Sequence, residues 1–373
     1  MNLYSMKKQK IKILDTTLRE GTQAVGVNLS YVQRYALIKE ISKLPIWGME
    51  IGMFNQSEIL DVFLTKFFNE QRKYENKKIK FGISILSRKK DILKLINSFT
   101  PDIIFIIIPA SSRLKPILNS IDEHFSNLNI LLDNTSLQKD DIHLALMDAS
   151  YNIEFDVINK FIETGFKNLW YADTFGILQP QDINRVSSLL NNKINKEFNL
   201  GTHCHNDFGL ALANTLRFIE EVKNTSYVSS SINGIGDRAG ITKTEEIISL
   251  LIEEFNLDQL IKISKLVEEF TSIKMSDIKP LTSERAFWES SGIHIDIFEK
   301  KLINLDKIKY FIGQSSGKKI LKKFLYEKFG KKNFTDNQFD FLYFLIKNDN
   351  SITDLDLTNN TTFNSNLIEM ILK

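Results

Sequence analysis

The segment Gly201-Thr202-His203-Cys204-His205-Asn206-Asp207 sets two histidines one residue apart at the end of a short apolar run. In an extended strand, residues i and i+2 point to the same face, so His203 and His205 can reach one common point. Two imidazoles converging there supply half of a divalent-metal site. The plainer alternative is a pair of strand-end histidines bonded to backbone carbonyls, and a three-residue pattern by itself favours it. A third ligand should be a carboxylate from another strand end. Glu20 leads, because Gly21 allows a tight turn that aims the side chain inward; Asp15, earlier on the same strand, is the substitute. Arg19 has the opposite strand parity to Glu20, so the strand must turn there if both are to enter one mouth. Arg19 would then be a fixed cation suited to an oxyanion. Two histidines and one carboxylate leave coordination positions open, as a catalytic site needs, and the donor set suits zinc, manganese or magnesium.

These residues need a scaffold that gathers strand ends. Short β-branched runs alternate with amphipathic segments through two-thirds of the chain. Strands are expected at 11–15, 49–51, 79–85, 103–108, 129–132, 169–172, 202–205 and 227–232. Helices are expected between them, including one N-capped by Ser30, one near 112–120, and a long one ending at Gly165. Eight such units in about 250 residues match a closed (βα)8 TIM barrel, whose chemistry gathers at the C-terminal ends of its strands. The runner-up, a doubly wound open sheet, lacks a Gly-rich phosphate turn after any early strand. Polar clusters fall at the expected strand ends: Arg19-Glu20, Asp133-Asn134, Asp173-Thr174, His203/His205 and Asn233-Gly234. That coincidence favours the metal reading. Beyond about Asn256 the alternation stops. The expected division is a barrel over 1–275 and a small, mainly helical accessory region over 276–373, with helices near 319–329, 336–346 and 363–372 and a polar loop over 348–360.

Composition narrows the class further. A net charge of +2, with lysines spread along helices, gives no electrostatic case for nucleic acid or an anionic membrane. The single cysteine, Cys204, excludes an internal disulfide and fits a reducing compartment. No run approaches the roughly 18 apolar residues of a membrane span. A cytoplasmic, soluble protein is expected.

Three ordered segments then resemble one enzyme group: Asp15-Thr16-Thr17-Leu18-Arg19-Glu20-Gly21-Thr22-Gln23, His203-Cys204-His205-Asn206-Asp207, and Asn233-Gly234-Ile235-Gly236-Asp237-Arg238-Ala239-Gly240-Ile241-Thr242. They look like the signatures of the metal-dependent, acyl-CoA-condensing TIM barrels: the homocitrate, isopropylmalate and citramalate synthases, with the hydroxymethylglutaryl-CoA lyases as relatives. Ala172-Asp173-Thr174-Phe175-Gly176 and Ser291-Gly292-Ile293-His294 extend the resemblance. It implies an acyltransferase in which the acetyl-CoA methyl attacks the keto carbon of a 2-oxo acid and the thioester is hydrolysed. It also implies metal at Glu20, His203 and His205, and Arg19 at the developing alkoxide. Gln23 and Thr174 would lie on substrate. His294 would be an acid–base group reaching the neighbouring subunit's site in a homodimer. Glu20 with Gly240-Ile241-Thr242 looks most like the homocitrate synthases, which take 2-oxoglutarate. The group's fifth-strand carboxylate is usually Glu followed by Asp, with an arginine after it; this chain offers Asp133-Asn134 and no such arginine. The third- and fourth-strand ends lack the histidine expected for 2-oxoglutarate; Arg113 is the substitute for its distal carboxylate, with a solvated side chain as the alternative. An isopropylmalate or citramalate synthase, a metal-dependent carbon–carbon lyase, an iron oxygenase and a non-catalytic binding protein are the alternatives.

Overall fold

The computed structural model describes residues 11–54, 58–71, 79–114, 120–194, 197–291, 293–294, 308–312, 315–329, 335–348 and 355–356. Its contacts divide the chain into two compact units, one running to Met275 and the other from Ser276.

In the first unit eight parallel strands close into a barrel: β1 Lys12–Asp15, β2 Gly48–Met53, β3 Lys80–Leu86, β4 Ile103–Pro109, β5 Ile142–Met147, β6 Asn168–Asp173, β7 Asn199–Cys204 and β8 Thr225–Ser230. β8 pairs back onto β1, from Lys12↔Tyr227 to Asp15↔Ser230, so the sheet has no edge. Helices α1 Tyr31–Ile41, α2 Glu58–Gln71, α3 Lys89–Ile96, α4 Ile121–Asp133, α5 Phe155–Thr164, α6 Ile183–Lys193, α7 Ala211–Glu221 and α8 Thr244–Leu251 alternate with the strands. Local chemistry sets their ends. Ser30 and Gln33 form a reciprocal capping box at α1, and Gly165 closes α5 at φ +73°. A ninth helix, α9 Leu257–Thr271, belongs to the same unit and is N-capped by Asn256.

β4 shows why a barrel strand reads as one continuous apolar run. Ile104, Ile106 and Ile108 join the core between sheet and helices, whereas Ile103 and Phe105 pack inside the barrel with Leu14, Trp170 and Tyr227. The interior holds these rings only where neighbouring strands yield space. A Cβ at Gly201 would stand 2.5 Å from the indole of Trp170, its register partner on β6.

One strand expectation is wrong. Residues 129–132 are the last turns of α4, and the fifth strand is Ile142–Met147. The buried residues Phe125, Leu128 and Leu131 follow helical spacing, and a short apolar run does not by itself distinguish that from a strand. The helix expected near 112–120 is, in its described part, a single 3-10 turn at Ser112–Leu114.

The second unit, described by itself, contains β9 Trp288–Glu289, β10 Lys309–Ile312 and β11 Leu355–Asp356 in the order β11-β10-β9, with helices α10 Lys318–Phe329 and α11 Asp336–Asn348. The loop expected over 348–360 thus includes a strand residue pair, and the helix expected at 363–372 lies outside the described residues. Among the described residues no helix is long and apolar enough to cross a membrane.

Inside the barrel, His143 is fully buried and its Nδ1 accepts the indole N–H of Trp170 at 2.8 Å. Burial, aided by Lys12, pushes its pKa down from 6.5 to about 3. The unfolded chain therefore takes up this proton first as pH falls. The stability is present above pH 6.5 and is lost progressively towards pH 3. About 2 kcal/mol should disappear between pH 7 and 5 on this account. His143→Gln keeps an acceptor for Trp170 without the titration. Urea midpoints at the two pH values should show wild type losing that much more than the variant; parallel losses would refute the assignment.

Candidate active site

β1 stops at Asp15, and the chain turns at once: the amides of Arg19 and Glu20 both donate to the Thr16 carbonyl, at 3.0 and 2.8 Å. This turn brings the two side chains, of opposite strand parity, to one mouth. Asp15 braces it, accepting from the Thr17 amide (3.0 Å), the Thr17 hydroxyl (3.0 Å) and the Thr244 hydroxyl (2.8 Å). Burial raises its carboxyl to about 6 against those hydrogen bonds. The substitute role weighed for Asp15 fails, because it lies outside the cluster of possible ligands and its oxygens serve the turn.

Glu20, His203 and His205 converge, all buried, with one donor atom from each lying within 4.8 Å of the others. His203 Nε2 lies 3.3 Å from His205 Nε2, and the two nitrogens lie 3.7 Å from Glu20 Oε2 and Oε1 respectively. Burial pushes His203 down to about 3 despite the attraction of Glu20, and pushes His205 down for the same reason. Burial would raise Glu20, but Arg19 and then the two imidazoles outweigh it and hold the carboxyl at about 2. The set is thus an anion facing two neutral imidazoles. His203 Nδ1 sits 2.9 Å from the Ser229 hydroxyl. If that nitrogen donates, the Nε2 lone pair faces the other ring, and a shared cation removes the resulting repulsion. The donors fit a divalent metal.

The loop after β8 sets Glu20 from the other side. His205 bridges to Ile241, and the Asn206 amide donates to the Gly240 carbonyl at 2.8 Å. A Cβ on Gly236 would stand 2.9 Å from Glu20 Cγ. Gly240, at φ +80°, leaves no space at all, since a Cβ would meet the Gly234 carbonyl oxygen at 1.8 Å.

Arg19 lies between two buried carboxylates. Its Nε is 2.9 Å from Glu50 Oε2, and its Nη1 pairs with Glu20. Glu50, from β2, also accepts from the Ser84 hydroxyl. Burial pushes the Glu50 carboxyl up, more than Arg19 lowers it. Sequence reasoning missed Glu50, although a lone charge within Gly48–Met53 was a usable signal. Arg238, also missed and held at φ 55°, pairs with Asp207 and Asp237 at 2.7 Å each and donates to the Thr174 carbonyl, tying three loops together.

Arg19, Glu20, Glu50, His203, His205 and Arg238 line a cavity of about 260 Å³ at the C-terminal ends of the strands. Gln23 and Thr174 line it too. The Thr174 hydroxyl accepts from the Asp148 amide at 2.8 Å, which leaves its own proton to donate. Other expected positions are elsewhere. Asp133 is an exposed residue at the end of α4 and cannot be a strand-end carboxylate. The fifth strand ends at Met147, just before Asp148, so methionine precedes the aspartate where the sequence resemblance expects glutamate. Met147 lines the cavity. Asp148 is buried under the Ser111 hydroxyl (2.5 Å) and Arg113 Nε (2.5 Å). Arg113 is accordingly held in that ion pair, over the rings of Tyr151 and Phe175, and is absent from the described cavity lining. His294 belongs to the second unit, exposed, with Nδ1 2.8 Å from Glu289 Oε2.

A sequence model described as HMGL-like matches residues 10–270. A 2-isopropylmalate synthase of Saccharolobus solfataricus is 30% identical over 346 residues, covering 87% of this chain and 88% of that protein. The homocitrate synthase AksA of Methanothermobacter thermautotrophicus is 31% identical over 301 residues, covering 77% and 74%. Identity does not separate the two activities. Among solved structures, hydroxymethylglutaryl-CoA lyase from Pseudomonas aeruginosa superposes with a TM-score of 0.60 at 17% identity, covering 77% of this chain and 97% of that one. This last likeness shows the shared barrel fold.

Proposed function

This chain belongs to the HMGL-like family, as an enzyme of the acyltransferases that convert acyl to alkyl groups on transfer, and on that premise we propose that it condenses acetyl-CoA with a 2-oxo acid and releases CoA by thioester hydrolysis. The observation that carries the reading is the buried convergence of Glu20, His203 and His205 on a cavity that also presents Arg19.

In this proposal Glu20, His203 and His205 hold a divalent ion of zinc, manganese or magnesium type. Bound there, such an ion supplies Lewis-acid polarisation of the keto group. Arg19, clamped by Glu20 and Glu50, cannot swing away and offers fixed positive charge to the oxygen that becomes an alkoxide. Thr174 donates its free hydroxyl proton to the oxo acid's carboxylate, and the Gln23 amide offers a further polar contact. No carboxylate enters the cavity from the end of β5, because Met147 stands there and Asp148 is tied to Arg113. The acid–base work is assigned, by resemblance, to His294, delivered in a homodimer from a second subunit. By resemblance, Glu20 and Ile241 favour 2-oxoglutarate as the oxo acid, whereas the chemistry of the cavity wall favours an aliphatic one.

Thiol release from acetyl-CoA, measured with added divalent metal across a set of 2-oxo acids, tests the reading. Release is expected with at least one acid, to be lost on chelation, and to fall steeply in His294→Ala while oxo-acid binding persists. Silence with every acid would refute the condensation. Cleavage of a hydroxyacyl-CoA without acetyl-CoA consumption would favour the lyase instead.

A further inference from the structure

We propose that the cavity accepts a 2-oxo acid with a short aliphatic side chain and excludes one with a second carboxylate, an inference that rests on the condensation proposed above. The cavity is chemically divided. Its polar side chains come mostly from the arc that runs from Thr174 beyond β6 through His203 and His205 at β7 and Arg19 and Glu20 beyond β1 to Glu50 on β2; Ser84 on β3, the exception, donates to Glu50. The facing arc is apolar. Leu86 ends β3 and pairs in register with Ile107 on β4, which pairs with Ala145 on β5; Met147 lies two residues further along the same face. All four line the cavity and all four are only half-buried, so they front its open space and are not packed away behind it.

An oxo acid anchored at the triad by its carboxylate and keto oxygens points its side chain away from the triad, onto this wall. A methyl, ethyl or isopropyl group would exchange water for apolar contact there. A distal carboxylate would lose its water and needs a cation. Two guanidiniums line the cavity among the described residues, and each already serves two carboxylates: Arg19 holds Glu20 and Glu50, and Arg238 holds Asp207 and Asp237. Arg113, the cation expected for this task from sequence, is committed to Asp148. Met147 is thereby a specificity-determining position: it extends the apolar wall where a charged side chain would meet the substrate's far end.

Titration calorimetry of the metal-loaded full chain with 2-oxoisovalerate, 2-oxobutyrate and 2-oxoglutarate, alongside thiol release with each, tests this. The aliphatic acids should bind on the order of 100-fold more tightly than 2-oxoglutarate. Met147→Arg, at a half-buried site that admits a long side chain, should shift that ratio at least about 10-fold towards 2-oxoglutarate. The wild-type ranking decides the matter even if that variant does not fold. Equal or tighter binding of 2-oxoglutarate by wild type overturns the inference, and thiol release with it would leave the condensation standing. Aliphatic preference without thiol release supports the wall's assignment and refutes the condensation. Binding of none of the three overturns both.

Discussion

His203→Ala, His205→Ala and Glu20→Gln should each abolish stoichiometric metal binding and lower turnover by roughly 10³-fold or more. Lewis-acid stabilisation of a developing alkoxide contributes several kcal/mol, and each 1.36 kcal/mol corresponds to a factor of ten in rate. The geometry makes the three losses equivalent. Three donors that lie within 4.8 Å of one another leave no described spare ligand, since Asp15 is occupied by Thr17 and Thr244. Ser229→Ala gives an intermediate result. It removes the partner of His203 Nδ1 but no ligand, so metal affinity should fall about 10–100-fold. Metal content by mass spectrometry and thiol release, with and without added ion, read both effects. Added metal should restore chelated wild type and leave the triad variants inactive. Full turnover in either histidine variant would remove the basis of the proposed chemistry.

Arg19→Ala is expected to damage stability and activity together. Removing the guanidinium leaves Glu20 and Glu50 buried without their cation, and breaking a buried ion pair from one side costs about 3–5 kcal/mol. For a barrel of this size that corresponds to a drop in Tm on the order of 10 °C. Turnover should fall about 10²–10³-fold through loss of the charge facing the alkoxide. Arg19→Lys separates the two consequences. One ammonium on a flexible stem restores charge but cannot present two directed N–H edges to two carboxylates at once. Thermal stability should therefore recover more than turnover does. Equal recovery of both would show that charge alone accounts for Arg19.

Much of this site was legible because its signals are local. His203 and His205 share a face by the geometry of any strand, and the sequence Arg19-Glu20-Gly21 required a turn that the backbone makes at Thr16. The barrel was legible from alternation of short apolar runs with amphipathic segments, even with one strand misplaced. That error had a cost at the site. Reading residues 129–132 as a strand put Asp133 in the mouth and hid the true strand end, Met147-Asp148, some fifteen residues later. Ile130-Leu131-Leu132 is apolar by composition in either conformation. Only the spacing of Phe125, Leu128 and Leu131 on one helix face, and the packing behind them, settles which it adopts.

Residue order alone was enough for which side chains can share a face, where the chain must turn, and which donor types suit a cation. These depend on bond geometry within a few neighbouring residues. Tertiary structure decided what each charge faces across the barrel: that Glu50 and Glu20 compete for one guanidinium, that Arg113 answers Asp148 instead of a substrate, and that Leu86, Ile107 and Met147 form one wall. Apart from the adjacent Arg19 and Glu20, those pairings join residues from 21 to more than 60 positions apart in sequence. Closure of the sheet sets them, because it fixes register and brings distant strand ends into one desolvated space where a few ångströms determine which charges pair.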